Sequence, residues 1–281
     1  MEPHVGPVSV SLRVPSDDAR DQRRPTIVSG DRRALTDADS MSLSTALHPL
    51  ARRARAAELL DGAALDSAEL RANLRELAML NRLPGGTAAS IAAIEALTDG
   101  ARDATILDVG CGGGDMALAF ARYGARPPAR WRVIGVDRHP EVLAEAIRRG
   151  RGRPDVEWLL ADGTRLPLAD GSVSVAHTSL VIHHLEPSQA VALLAELGRV
   201  ARHGVALNDL RRGLVPFVIT AATVLAVARS RYTRHDGVVS ARRAYNLTEI
   251  DELIRAAGLE VVSRSARWLP RVVTAAIPIS P

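Results

Sequence analysis

The stretch from Thr105 to Asp115 reads T-I-L-D-V-G-C-G-G-G-D, and it decides the fold of this chain. An apolar segment with an acidic residue near its end precedes a run of glycines, and a helical pattern begins near Met116. Glycines let the backbone turn tightly and approach a ligand, and the free N–H groups of the following helix face an anion. This strand, turn and helix predict a small-molecule site.

Three further predicted strands also end in polar residues. They are Trp131–Val136 followed by Asp137, Val156–Leu160 followed by Ala161, Asp162 and Gly163, and Val173–Leu180 followed by Val181, Ile182, His183 and His184. Strand and helix patterns alternate from about residue 104 to 265, which is typical of an α/β fold with a parallel sheet covered on both faces. Ligands bind such folds at the carboxyl ends of the strands. There, Asp137 can accept both hydroxyls of a ribose and Asp162 can accept an adenine amine.

A nicotinamide- or flavin-binding domain is the main alternative for a glycine-rich turn. Such a domain usually keeps its first strand apolar up to the first glycine, whereas Asp108 stands two residues before Gly110. Asp115 occupies the position where the fingerprint G-x-G-x-x-G needs its third glycine. The residue order therefore disfavours dinucleotide binding.

Four segments, in this order, resemble the successive motifs of class I S-adenosylmethionine-dependent methyltransferases. They are D-V-G-C-G-G-G-D from Asp108, V-I-G-V-D from Val133, L-L-A-D-G-T-R-L-P-L from Leu159 and D-G-S-V-S-V-A-H-T-S-L-V-I-H-H-L from Asp170. The resemblance covers roughly residues 101–201 and continues more weakly through residues 246–278. It implies a Rossmann-like α/β fold with a seven-stranded, mostly parallel sheet of order 3-2-1-4-5-7-6. It also implies S-adenosyl-L-methionine as the cofactor and no metal.

The resemblance further implies which residues bind the cofactor. The loop glycines would lie under the methionine moiety, Asp108 would fix the loop and the amino end, and Asp137 and Asp162 would bind the ribose and the adenine. Each acid also has a plainer interpretation as a helix cap or turn former. The expected cofactor-binding set is Asp108, Gly110, Cys111, Gly112, Gly114, Asp137, Arg138, Asp162, Gly163 and Thr178. Two residues depart from the family pattern: Ser174 replaces the usual acid at the start of strand four, and His177 interrupts a normally apolar strand.

His183 and His184 follow the fourth strand, where the resemblance places the transferred methyl group. A neutral imidazole, with a pKa of about 6.5, can take a proton from a phenol-like hydroxyl as it attacks. Adjacent residues at a helix start point in different directions, so one of the two is expected to face the acceptor, with a slight preference for His184. A structural role for both stays open. Weaker candidates for the acceptor side are Asn208, Asp209, His235 and Asp236.

The acceptor is the least constrained part of the prediction. No Asn-Pro-Pro-Tyr sequence, which serves nitrogen methylation, follows the fourth strand. The motifs look most similar to small-molecule methyltransferases of quinone and polyketide pathways. This similarity implies O-methylation of a hydroxylated aromatic or polyketide-like secondary metabolite, with C-methylation of a similar ring as the nearest variant. A non-catalytic cofactor- or partner-binding protein on the same fold stays open, as does a macromolecular methyltransferase.

The composition favours neither a nucleic-acid-binding protein nor a secreted protein. All 36 basic residues are arginine, which indicates the coding bias of a GC-rich bacterial genome, and the net charge is only +4. The arginine pairs are dispersed, and two Phe and three Tyr offer few rings for stacking bases. The only cysteine, Cys111, lies in the glycine loop and cannot form an intramolecular disulfide. With no secretory signal, these features predict a cytoplasmic protein in which Cys111 packs and is not a nucleophile.

Residues 1–47 are rich in Pro, Asp, Arg and Ser, which predicts a disordered extension, and Met41 is a candidate start. Residues 48–100 are expected to form a helical cap over the cofactor edge or simply to cover the sheet. Residues 101–281 are expected to form the methyltransferase domain. Within it, an apolar helix is expected at about 213–229. Its uncharged part, residues 213–228, falls short of the roughly 20 residues that span a bilayer. We expect this helix to line the acceptor pocket, and a peripheral membrane contact stays open for a lipidic substrate.

Further predicted elements are helices Leu70–Leu83, Thr87–Leu97 and Thr248–Ala257 and strands Leu259–Ser263 and Arg271–Ile277.

Overall fold

The computed structural model of the protein describes residues 50, 52–56, 58, 67–83, 85–265 and 270–279. The predicted extension, residues 1–47, lies outside the described residues. The strands are β1 (Asp103–Val109), β2 (Arg130–Asp137), β3 (Val156–Leu160), β4 (Val173–Ser179), β5 (Ala201–Leu210), β6 (Leu259–Ser265) and β7 (Arg271–Pro278). The helices are α1 (Ser67–Leu80), α2 (Thr87–Thr98), α3 (Asp115–Gly124), α4 (Pro140–Arg149), α5 (Pro187–Val200), α6 (Leu214–Val227), α7 (Arg231–Arg243) and α8 (Leu247–Ala256).

The strands form one seven-stranded sheet of order β3-β2-β1-β4-β5-β7-β6. The neighbouring pairs among β1 to β5 are parallel, and β7 runs antiparallel to both β5 and β6. This arrangement confirms the predicted Rossmann-like methyltransferase fold and its strand order. The β-branched and aliphatic runs of the central strands suit it, because strands of a covered parallel sheet are buried on both faces.

Helices cover both faces of the sheet, and successive strand residues point into opposite cores. On one face, α2 and α3 contribute Ile94 and Phe120 to a buried cluster that includes Ile106 of β1. On the other face, α5 and α8 pack around a cluster that includes Leu107 and Ile254. This double covering leaves the carboxyl edge of the strands as the place where polar side chains gather.

Two predicted boundaries were wrong near that edge. The fourth strand ends at Ser179, and Leu180 has a left-handed φ of 57°, so the chain turns sharply one residue earlier than predicted. A bulky residue in this conformation is strained and is held by its surroundings. The helix predicted to end at Leu83 ends at Leu80, because the N–H groups of Arg82 and Leu83 donate to carbonyls only three residues back, which closes a tighter turn.

Three helices lie together near the carboxyl edge. Helices α6 and α7 pack closely: a Cβ atom added at Gly237 of α7 would lie 2.8 Å from a methyl carbon of Val224 on α6. Helix α1 contacts both of them. The antiparallel β7 begins at the same edge, since Arg271 pairs with Leu210 at the end of β5. This edge of the sheet is therefore covered by α1, which precedes the first strand in the chain, and by α6 and α7, which follow β5.

Candidate cofactor and acceptor site

The glycine loop between β1 and α3 is anchored to the end of β2. Gly110, Gly112 and Gly114 all have positive φ, at 71°, 55° and 76°. The N–H groups of Gly110 and Cys111 donate to the carbonyl of Val136, at 2.8 and 2.9 Å. The positive φ values explain why glycine occupies these three positions, because other residues adopt that region at a cost.

Asp137 closes the loop from the end of β2. Its Oδ2 accepts a hydrogen bond from the N–H of Gly112 at 2.9 Å, and its Oδ1 accepts one from the N–H of His139 at 3.0 Å. The carboxylate is buried. The structure therefore brings Asp137 and the glycine loop together as one unit, as the sequence predicts.

Asp108 belongs to a buried hydrogen-bonded chain that includes His177. Oδ1 of Asp108 lies 2.7 Å from Nδ1 of His177, and Nε2 of His177 lies 3.0 Å from the hydroxyl of Ser90. Asn208 donates to that hydroxyl at 2.8 Å. Because a carboxylate only accepts hydrogen bonds, Nδ1 of His177 donates its proton to Asp108. His177 thus departs from the apolar strand pattern because it pairs with the loop acid. Ser174 has a simpler role, since its hydroxyl accepts from the N–H of Thr105.

The corner after β3 is more exposed. Oδ1 of Asp162 accepts hydrogen bonds from both the N–H and the hydroxyl of Thr164, at 2.8 Å each, and these bonds lower the pKa of Asp162. Gly163 approaches β1 so closely that a Cβ atom would lie 2.6 Å from Cγ1 of Val109. Arg138 is exposed beside this corner. The open carboxylate of Asp162 is available to a ligand.

Two residues of the expected cofactor set have structural duties. The hydroxyl of Thr178 is buried and donates to the carbonyl of Val109 at 3.0 Å, so it braces β1. Cys111 is buried, and its burial, followed by the nearby carboxylates of Asp108 and Asp137, raises its thiol pKa well above the usual value. A thiol with a raised pKa is a poor nucleophile. This agrees with a packing role for Cys111.

A largely apolar cavity of about 520 Å³ lies beneath α1, α6 and α7. Its polar lining includes His183, His184 and Glu58. Its apolar lining includes Leu77, Leu80, Leu180, Leu210, Ile219 and Val227. Such a cavity suits a small apolar ligand with few polar groups.

His183 is held by Asp209. Nδ1 of His183 lies 2.5 Å from Oδ1 of Asp209, and Oδ2 of Asp209 accepts from the N–H groups of Val181 and Ile182. Burial acts to raise the pKa of Asp209, but its interaction with His183 outweighs burial and lowers the pKa below its usual range. Asp209, a weaker candidate from the sequence, thus fixes the imidazole and leaves Nε2 as its proton-accepting atom.

His184 lies beside Glu58, a residue that the sequence analysis missed. Nδ1 of His184 is 3.6 Å from Oε1 of Glu58, which also accepts a hydrogen bond from the hydroxyl of Ser240 at 2.8 Å. Arg53 anchors this segment by donating to the carbonyls of His183 and Leu185, at 2.7 Å each. Glu58 was missed because its partners lie far away in sequence and no local motif marks it.

Glu58, His183 and His184 each offer a potential ligand atom within 4.8 Å of the others, which resembles a metal site. However, Nη1 of Arg243 lies 3.8 Å from Oε1 of Glu58. This guanidinium already supplies the positive charge that a bound cation would bring. We therefore interpret the group as two histidines, each beside its own carboxylate.

The remaining candidates lie at different places. His235 is half exposed, and its Nδ1 lies 2.8 Å from the buried Asp236, which lines the cavity. Asn208 does not face the acceptor side, because its amide nitrogen is used within the buried chain and on the carbonyls of Gly85 and Gly86. The side chains of Asn208 and Asp209 therefore have different partners: Asn208 belongs to the buried chain with Ser90, and Asp209 contacts His183.

Arg271 is a second residue that the sequence analysis missed. It is buried in the cavity wall, and burial lowers its pKa to about 10. Its Nη2 donates to Oδ1 of Asn81 at 2.7 Å, and Nδ2 of Asn81 donates to Oδ2 of Asp115 at 2.9 Å. Asn81 therefore connects the cavity wall to the first turn of α3, directly after the glycine loop.

Comparison with known proteins agrees with this geometry. Residues 106–204 match a family model for a methyltransferase domain. A 37.1 kDa protein in transposon TN4556 of Streptomyces fradiae is 43% identical over 99 residues, which are 35% of this chain and 27% of that protein. A demethylmenaquinone methyltransferase of Beutenbergia cavernae is 36% identical over 99 residues, covering 35% of this chain and 37% of that protein. The matched part of the chain thus spans well under two thirds of the length of these relatives.

A TehB-like S-adenosylmethionine-dependent methyltransferase from Corynebacterium glutamicum shares the fold, with a TM-score of 0.51 and 16% identity over 75% of this chain and 97% of that one. The chain therefore shares the Rossmann-like fold of S-adenosylmethionine-dependent methyltransferases, and residues 106–204, about a third of its length, match the methyltransferase-domain model. Solved methyltransferases that share this fold are named as S-adenosylmethionine-dependent. Within the part of the chain that the structure describes, no helix is long and apolar enough to cross a bilayer.

Proposed function

We propose that this protein transfers a methyl group from S-adenosyl-L-methionine to a hydroxyl of a small hydroxylated aromatic, polyketide-like or quinone-like metabolite. The observation that carries the proposal is the His183–Asp209 pair in the wall of an apolar cavity. Arg271 and Asn81 connect this wall to Asp115, directly after the glycine loop. Residues 48–100 would act as a cap on this site, since Leu77 and Leu80 of α1 line the cavity.

The residues around the loop fit the cofactor. Gly114 packs directly against Trp158, where a Cβ atom would lie 2.5 Å from Cη2, and this packing fixes the shape of the loop that would hold the methionine moiety. Oδ2 of Asp108 is buried and has no hydrogen-bond partner among the described residues, so an ammonium group could satisfy it. Asp137 and Asp162 offer carboxylate oxygens for the ribose and the adenine amine. When bound, S-adenosyl-L-methionine would supply a methyl group on a sulfonium sulfur, which would leave as the thioether S-adenosyl-L-homocysteine as the acceptor oxygen takes the methyl group.

The protein's own chemical task is to free an oxygen lone pair on the acceptor. His183 would take the hydroxyl proton at Nε2, because Nδ1 is occupied by Asp209. Asp209 would stabilise the resulting imidazolium and is therefore a positioning residue. The sequence slightly preferred His184; the 2.5 Å contact to Asp209 moves our preference to His183, and His184 beside Glu58 is the second candidate. The aliphatic cavity wall would exclude water and align the acceptor for in-line attack.

A screen tests this proposal. The purified protein would be incubated with S-adenosyl-L-methionine and a panel of phenolic, quinol and polyketide acceptors, and products would be assayed for a mass gain of one methyl. The structure of the product distinguishes O-methylation from C-methylation of the ring. Tight cofactor binding without turnover of any acceptor would instead favour the non-catalytic class, and salt-sensitive RNA binding would favour a macromolecular acceptor.

A further inference from the structure

Helix α6 is apolar on both its inner and its outer side. Its inner residues Pro216, Thr220 and Val224 are buried, and the last two line the cavity. Its outer side exposes four large aliphatic side chains, by half or more of their surface. They are Leu214 (63%), Val215 (50%), Val218 (55%) and Leu225 (56%). The solvent side of an ordinary surface helix carries charged residues, so this outer face calls for an explanation.

Exposed cations follow the apolar face directly. Arg229, Arg231 and Arg234 are all exposed, and the sequence contains no acidic residue from Leu210 to His235. Arg231 and Arg234 lie in the first turn of α7, where the helix dipole disfavours positive charge. Arg234 donates to the carbonyl of Ala228 at 2.8 Å, and Arg231 lies 4.9 Å from the centre of the Tyr232 ring, so both cations are held at the end of the apolar face.

We propose that the outer face of α6, together with Arg229, Arg231 and Arg234, docks on an anionic lipid surface. Aliphatic side chains enter the boundary between headgroups and acyl chains, and nearby arginines pair with the anionic headgroups. Helix α6 has 14 residues, so it lies along the membrane surface and does not cross it.

The charge of this face favours an anionic lipid surface over a second copy of the chain as its binding partner. A symmetric dimer would place the same face of both copies together and bring six arginines to one interface, with no acidic residue between Leu210 and His235 to pair with them. An anionic membrane instead complements both the aliphatic and the cationic part of the face. Because α6 also forms the cavity wall, docking would bring the cavity next to lipid. This last step, the entry of a lipidic acceptor, rests on the proposed function, whereas the docking itself does not.

Vesicle sedimentation with the full chain tests the docking. We expect binding to vesicles rich in phosphatidylglycerol, weaker binding to pure phosphatidylcholine vesicles, and release at high salt. Replacing Arg229, Arg231 and Arg234 by Gln should weaken binding to the anionic vesicles by about 100-fold. Replacing Leu214, Val218 and Leu225 by Ser should weaken it at least as much.

The matched controls are Ile147→Ser and Val262→Ser, which remove equally exposed aliphatic side chains elsewhere. They should leave vesicle binding unchanged, and all variants should keep the wild-type affinity for S-adenosyl-L-methionine as evidence of folding. Absence of wild-type binding to anionic vesicles would overturn the proposal, as would equal binding by the α6 variants. Self-association that the α6 variants abolish, without vesicle binding, would assign the face to a second copy. None of these readouts depends on turnover, so the docking and the proposed function can fail separately.

Discussion

Nδ1 of His183 lies 2.5 Å from Oδ1 of Asp209, and this contact joins the turn after β4 to the end of β5. Asp209 also accepts two backbone N–H bonds from that turn, so the imidazole and its backbone are fixed by one carboxylate. A histidine held in this way presents a single ring nitrogen to the cavity side. The contact is therefore the structural basis for assigning a proton acceptor.

His183→Ala should lower turnover by about 10²- to 10⁴-fold, the usual contribution of a general base, and should leave cofactor affinity unchanged. His184→Ala should have a smaller effect, because its carboxylate neighbour is more distant. His203→Ala is the control, since this histidine is exposed at the opposite end of β5. Turnover and calorimetric affinity of the three variants check the assignment. A larger loss in His184→Ala would transfer the role to the pair of His184 and Glu58.

His177→Leu restores the apolar strand pattern, yet it should destabilise the protein. The change leaves Asp108 as a buried charge without its partner, which costs about 3–5 kcal/mol. Adding Asp108→Asn to His177→Leu removes the charge and should recover part of that loss. The double-mutant cycle would be measured by urea unfolding. If His177→Leu alone costs less than about 1 kcal/mol, the buried pair does not stabilise the fold as we describe.

The buried pair also illustrates what sequence reasoning could and could not predict. The apolar runs and the glycine turn predicted the strands, because these are local patterns, whereas the order of the strands was implied by the resemblance to class I methyltransferases. His177 appeared as an irregularity, because its partner Asp108 lies 69 residues away. Arg271 and Asn81 are separated by 190 residues, and only the folded sheet brings them together. Side-chain pairs of this kind depend on tertiary packing, which no local motif reveals.

Gly114→Ala should destabilise the protein more than Gly152→Ala does. Both glycines have left-handed φ, at 76° and 81°, so both alanines meet the same backbone strain of about 1–2 kcal/mol. Only the alanine at residue 114 would collide with Trp158, which adds about 1–3 kcal/mol. Urea unfolding of the two variants measures the difference. Equal stabilities of the two variants would mean that the loop moves away from Trp158 without cost, and our account of close packing at Gly114 would then be wrong.

Glu145 should make stability depend on acid pH. Hydrogen bonds from Arg148, and then from Arg149, lower the pKa of Glu145 from its ordinary value of 4.5 to about 2. Because the folded-state pKa is depressed, the stabilisation is present above pH 4.5 and is lost as the pH falls towards 2. Glu145→Gln should therefore destabilise the protein by about 1–2 kcal/mol at pH 7, and by progressively less in acid.

Chemical unfolding at a series of pH values checks this dependence. Glu157→Gln is the matched control, since Glu157 is exposed on β3, and its effect should be small. A Glu145→Gln deficit that stays constant between pH 7 and pH 3 would show that the carboxylate charge is not the source of the stabilisation.

The most direct test of the central claim is calorimetric titration of the purified protein with S-adenosyl-L-methionine and, separately, with NADH. We predict binding of S-adenosyl-L-methionine in the micromolar range and no binding of NADH. In the same titration, Asp137→Ala should weaken the binding, because the carboxylate that closes the glycine loop is lost. Folded protein that binds neither ligand, or that binds NADH alone, would contradict the account.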